Sequence, residues 1–152
     1  MFDAQSVSDF LSAALHIGLA YLIAVPVGWE REGSVRSLGL RTFPLVSMAS
    51  AGFVLLCLEV FEGSPESQAR VIQGLMTGIG FIGGGAILKG KRTVRGSATA
   101  ASIWATGAMG AAAAYGRFDI AILLSAVTFI TLHWLNPVKK RIEKEAGLSD
   151  DE

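Results

Sequence analysis

At 152 residues the chain has the length of one domain, yet 51% hydrophobic residues, a mean hydropathy of +0.49 and only 17% charged residues set it apart from soluble domains, where about 25% of residues are charged. Lys and Arg number 13 and Asp and Glu 13, for a formal net charge of zero, a balance that argues against a nucleic-acid partner. The single cysteine, Cys57, excludes an intrachain disulfide.

Five stretches without a charged residue fill most of the chain: residues 10–29, 42–58, 71–88, 96–116 and 120–138, which are 20, 17, 18, 21 and 19 residues long. At about 1.5 Å per residue each reaches roughly across the 30 Å hydrocarbon core of a bilayer. The expected fold is therefore all-α, a polytopic membrane domain of five transmembrane helices over residues 1–138, with a short polar tail over 139–152. No basic residue precedes the first run, which is also too long for the apolar region of a signal peptide, so the first helix is expected to be retained.

Placement of charge gives the orientation. The segments after spans one, three and five carry eleven Lys and Arg residues, among them Arg31, Arg41, Lys89, Arg95 and Lys139. The other two loops carry Arg70 and Arg117 alone. Positive charge is retained in the cytoplasm, so the N-terminus is expected outside and the C-terminus inside.

Span one contains His16 and, one turn from its end, Pro26, which loosens the last turn. Glu30, Arg31 and Glu32 follow at its inner mouth, and Glu30 is placed to pair with Arg41 or Arg95 at the neighbouring helix ends. The reading against this is a solvated interfacial cluster. Glu59, Glu62 and Glu66 make the outer loop acidic; a hard cation would suit such oxygens, but an acidic loop that helps topology suffices, and the metal assignment stays open.

Span three is dominated by Gly74, Gly78, Gly80, Gly83, Gly84 and Gly85. Glycines four apart let a neighbouring helix approach closely, which inside lipid is a main source of association. Spans three and four are accordingly expected to form the tight centre of the bundle, with a helix break or a close backbone approach near residues 83–85. Residues 78–83 match G-x-G-x-x-G, but inside an apolar span and without the acidic residue about 20 positions on, so a nucleotide site is not expected. Thr99, Ser102 and Thr106 in span four suit hydrogen bonding within and between helices. His133 in span five and His16 lie toward opposite faces, which separates them as ligands. Neither a Ser/His/Asp set nor paired buried carboxylates occur, and neither an enzymatic activity nor a cofactor is expected.

Three blocks of residues resemble the MgtC/SapB family of bacterial inner-membrane proteins. The first is Gly28-Trp29-Glu30-Arg31-Glu32 with Gly39-Leu40-Arg41-Thr42. The second runs from Arg70 and Gln73-Gly74 into the segment from Gly78 through Phe81 to Gly85. The third is Val94-Arg95-Gly96 with the segment from Thr99 to Trp104. Ser97-Ala98 stand where the family tends to have Leu-Thr, and longer members look to have a soluble cytoplasmic domain after span five, so this chain looks like the short, membrane-only type.

The resemblance implies a multi-pass protein of the inner membrane linked to Mg²⁺ limitation and, in pathogens, to survival inside host cells and virulence. It also implies action through membrane partners, the F-type ATP synthase among them. Two functions follow as expectations. One is a regulator that binds other membrane proteins, with the bilayer and a second copy as further partners. The other is a small oligomeric transporter or channel for a cation such as Mg²⁺ or another small solute.

Overall fold

A computed structural model describes residues 4–32, 39–89 and 94–145, with the backbone alone at residues 4, 88–89, 94–95 and 136–145. The elements are α1 (Ala4–Glu32), α2 (Thr42–Val60), α3 (Pro65–Gly85), β1 (Leu88–Lys89), β2 (Val94–Arg95), α4 (Ser97–Ala114) and α5 (Phe118–Glu145). The protein is thus all-α apart from one minute antiparallel hairpin, in which Leu88 faces Arg95 and Lys89 faces Val94. Among the described residues three helices are long and apolar enough to cross a membrane, over Gln5–Glu32, Thr42–Val60 and Phe118–Leu135.

The other two helices have different compositions for different reasons. The 18 residues of α4 are nearly all Ala, Gly, Ser and Thr, and α4 packs against α1, α2, α3 and α5. A helix packed against four others need not be strongly apolar, but it must be thin where they meet it. Gly110 is in direct contact with α2, where an added Cβ would lie 2.0 Å from the Ser47 carbonyl oxygen. At Gly107 the same atom would lie 2.1 Å from Cδ1 of Ile79 on α3. Close approach is therefore built from glycines of α4.

Helix α3 starts with Pro65 in its first turn after Ser64, with Glu66 beside it at the positive helix end. It ends at Gly85 after three consecutive glycines, each less favourable in a helix than alanine by about 1 kcal/mol. Only Ile79 and Gly83 of this helix are buried. The expected tight centre between spans three and four is corrected accordingly: α3 lies at the periphery, and the centre is α4 against α2 and α1. Gly83 packs against Ala100, but a Cβ on Gly74, Gly78, Gly80, Gly84 or Gly85 would meet nothing within 4 Å. Glycine spacing marked a surface that can accept a helix, and within one copy that surface is uncovered.

Two apolar clusters make the core. Val27, Phe43, Ile103, Met109 and Leu132 form one with Ile79 and Val46; Ala20, Ala51, Val54, Ala113 and Ala121 form the other with Ala114. The buried hydroxyls between them are all spoken for. Ser47 donates to the Ala20 carbonyl at 2.7 Å and Ser125 to that of Ile23 at 2.6 Å, tying α2 and α5 to α1. Ser50, Ser102 and Thr106 donate to carbonyls one turn back in their own helices, at 2.7, 2.6 and 2.8 Å.

Candidate functional site

The C-terminal end of α1 meets the N-terminal ends of α2 and α4 and the α5 helix at His133. Gly28 and Gly39 make this possible. A Cβ on Gly28 would stand 3.2 Å from the Leu40 Cα, and one on Gly39 would stand 1.9 Å from a Glu32 carboxylate oxygen and 3.0 Å from the Glu32 Cα. The chain entering α2 therefore runs directly over the last turn of α1. There the Leu40 N–H donates to Glu32 Oε2 at 2.7 Å, and the Gly39 carbonyl accepts from the N–H groups of Thr42 and Phe43 at 3.0 and 3.3 Å. A carboxylate at a helix N-terminus meets orphan N–H groups and the positive end of the helix dipole, which stabilises α2.

Arg31 points the other way and donates to Thr99 Oγ1 in the first turn of α4. Its Nε is buried with no partner among the described residues. Gly96 precedes α4 with φ +88, and a Cβ there would fall 2.0 Å from the Ala86 carbonyl oxygen, so the end of α3 and the start of α4 touch through backbone. Glu30, with its side chain 19% exposed, accepts from His133 Nδ1 at 3.2 Å across to α5. The His133 ring is stacked on Phe129 at 5.7 Å.

Of the residues picked out in the sequence, Glu30, Arg31, Glu32, Gly96 and Thr99 come together here. Arg41 is exposed beside them, and the Arg95 side chain lies outside the described residues, so the observed partner of Glu30 is His133. That partner was invisible in the sequence, 103 residues away. Thr42 opens α2 and, with Gly74, Gly78 and Phe81, lines an apolar groove of about 770 Å³ between α2 and α3. Trp104 lines a smaller hollow of about 170 Å³ between α3 and α4. Arg70, Gln73 and Phe81 are exposed on α3, Phe81 by 85%. His16 Nδ1 donates to the carbonyl of Ser12 in its own helix at 2.7 Å, and its ring lies 5.5 Å from the Phe118 ring, far from His133.

Because His133 is 56% exposed, its contact with Glu30 is worth at most about 1 kcal/mol. Glu30→Gln keeps an acceptor for Nδ1 and is expected to shift thermal unfolding in detergent by no more than about 0.5 kcal/mol. A loss beyond about 2 kcal/mol would show that the carboxylate carries more than this one contact.

The family model for the MgtC family matches residues 17–141. The chain belongs to the MgtC family. Among its relatives, the protein SrpB of Synechococcus elongatus is 34% identical, over 92% of this chain and 81% of SrpB. The protein MgtC of Salmonella typhimurium is 32% identical over 86% of the chain. YhiD of Escherichia coli, whose name marks it as a candidate magnesium transporter, is 31% identical over 82% of the chain. The match spans only 55% of MgtC and 60% of YhiD. No solved structure matches. Against this background the interlocked ends of α1, α2 and α4 give a physical reading of the Gly-Trp-Glu-Arg-Glu and Gly-Leu-Arg-Thr blocks: two glycines for close approach, one carboxylate for the α2 terminus and one guanidinium for α4.

Proposed function

We propose that this MgtC-family chain is a five-helix, multi-pass protein of the bacterial inner membrane that regulates other membrane proteins by lateral contact, in a response to Mg²⁺ limitation or related stress. Its N-terminus lies outside and its C-terminus in the cytoplasm. One geometric fact supports the orientation: the segments rich in Lys and Arg, after α1, α3 and α5, all leave the bundle at the end where Arg31 meets Thr99 and Glu30 meets His133. Packing of α4 against four other helices accounts for a fourth span of modest hydropathy, and the uncovered face of α3 accounts for the third.

The observation that carries the regulatory reading is the saturation of the core. Ser47, Ser50, Ser102, Thr106 and Ser125 each donate to a helix carbonyl, so they serve the fold and offer a permeant ion little. The surface offers more, in the groove between α2 and α3. Partners are then other integral proteins, with the F-type ATP synthase suggested by family resemblance, and no catalytic step is involved.

Transport of Mg²⁺ or another small solute is the second reading, favoured by the carboxylate of Glu30 at the inner mouth and by the name of YhiD. Cation flux into liposomes holding purified protein separates the two. The regulator reading expects wild type and Glu30→Gln both to match empty liposomes. Mg²⁺ flux in wild type that Glu30→Gln abolishes would overturn it.

A further inference from the structure

The inward line of α3 runs through partly buried Ile72 and Leu75 and buried Ile79 and Gly83, toward α4. Half a turn away the outermost line reads Glu66, Arg70, Gln73, Thr77 and Phe81, all exposed. Phe81 suits lipid and Glu66 and Arg70 precede the charge-free run, but Gln73 and Thr77 place polar side chains on this exposed face within the span. A helix that shows lipid one face should show it the apolar one, and polar side chains within a span normally turn toward other protein. Gly80 and Gly84 flank the line four residues apart, and a Cβ on either would meet nothing in the same copy.

The pattern is complementary to itself. Two copies in one membrane share their orientation, so a two-fold axis along the bilayer normal brings α3 against α3 in parallel, each residue near its own counterpart. An amide carries both donors and an acceptor, so Gln73 can bond to Gln73 of the second copy and leave both satisfied. Thr77 already donates to the Gln73 carbonyl at 2.9 Å, and its oxygen keeps acceptor capacity for the opposing amide. Glu66 and Arg70, one turn apart and opposite in charge, can exchange ion pairs across the axis at the outer end. Below them Gly80 and Gly84 allow the backbones to meet.

We infer that the outer face of α3 is a homodimer interface, occupied by α3 of a second copy of this chain. The inference rests on the five-span reading above, since only a membrane-crossing α3 makes exposed Gln73 and Thr77 costly. Single cysteines at Gln73, Thr77, Gly80 and Gly84, introduced in a Cys57→Ala background, are oxidised in native membranes. Controls sit at Leu123 and Val127 on the exposed face of α5. The dimer predicts several-fold more disulfide-linked pairs on α3 than on α5. It also predicts that Gly80→Leu and Gln73→Leu, both pointing away from the bundle, convert a detergent-solubilised dimer to a folded monomer with unchanged thermal unfolding of the helices. Equal or stronger crosslinking on α5, no crosslinking at any α3 position, or adducts at α3 only with a different protein would each overturn it. Labelling Glu62→Cys and Lys91→Cys from the two sides of the same membranes reports on α3 crossing independently. A failed crosslink with correct sidedness therefore removes the dimer face alone, and wrong sidedness removes the five-span reading.

Discussion

Gly110→Ala is expected to lower the stability of the bundle by about 1–2 kcal/mol or more. The new methyl would lie 2.0 Å from the Ser47 carbonyl oxygen, 2.8 Å from its carbon and 2.9 Å from the Ser50 Cβ. Two of these atoms belong to the backbone of α2, which is pinned by the Ser47 bond to Ala20 of α1. No rotamer change can relieve the overlap, so α2 and α4 must separate. Overpacking of this kind costs about 1–3 kcal/mol and occasionally more, against a gain in helix propensity of only about 1 kcal/mol for replacing glycine by alanine. Gly52→Ala is the matched control: same substitution, same type of element, open space around the new atom. It should be neutral or up to about 1 kcal/mol stabilising. Thermal unfolding in detergent, followed by circular dichroism, compares the two. Equal midpoints would show that α4 and α2 do not touch as described.

Gly96→Ala is expected to be nearly as damaging, through two separable causes. The φ of +88 puts an L-residue in the left-handed region, a strain of about 1–2 kcal/mol. In addition the methyl would fall 2.0 Å from the Ala86 carbonyl oxygen and 3.0 Å from its carbon. Gly63 has φ +75 with nothing within 4 Å of its would-be Cβ, so Gly63→Ala reports the backbone strain alone. The difference between the two variants is then the cost of pushing α4 away from the end of α3, about 1–3 kcal/mol. It should be accompanied by faster protease cleavage at the basic residues between α3 and α4. Matching losses for the two variants would mean that the end of α3 is free of α4.

Sequence told where the helices are because charge and glycine punctuate it so clearly. Residues 42–58 became α2 (Thr42–Val60) almost unchanged, and the run at 96–116 became α4 (Ser97–Ala114). Span three shifted: α3 begins at Pro65, six residues before the charge-free run, because a proline in the first turn and Glu66 at the positive end start a helix well before hydropathy rises. Partner choice was far less legible. Span three holds six glycines and span four Gly107 and Gly110, yet the two of span four carry the tightest helix contacts, since composition counts glycines and cannot say which face they occupy. At the candidate site Glu30, Arg31 and Glu32 were visible as a charged cluster. Their division of labour among α5, α4 and α2 depends on helix rotation, which a one-dimensional pattern fixes only loosely. His133 could be noticed as a histidine in a span but not as the counterpart of Glu30.

In the proposed five-span arrangement α3 crosses the membrane, with the Arg31–Thr99 and Glu30–His133 contacts on the cytoplasmic side. Impermeant maleimide applied to right-side-out and inside-out vesicles, with single cysteines at Glu62, Lys91 and Arg117 in the Cys57→Ala background, tests this most directly. The expected result is labelling of Glu62→Cys and Arg117→Cys from the periplasmic side only and of Lys91→Cys from the cytoplasmic side only. Labelling of Glu62→Cys and Lys91→Cys from the same side would contradict it, leaving α3 on one side of the bilayer and the bundle with fewer than five spans.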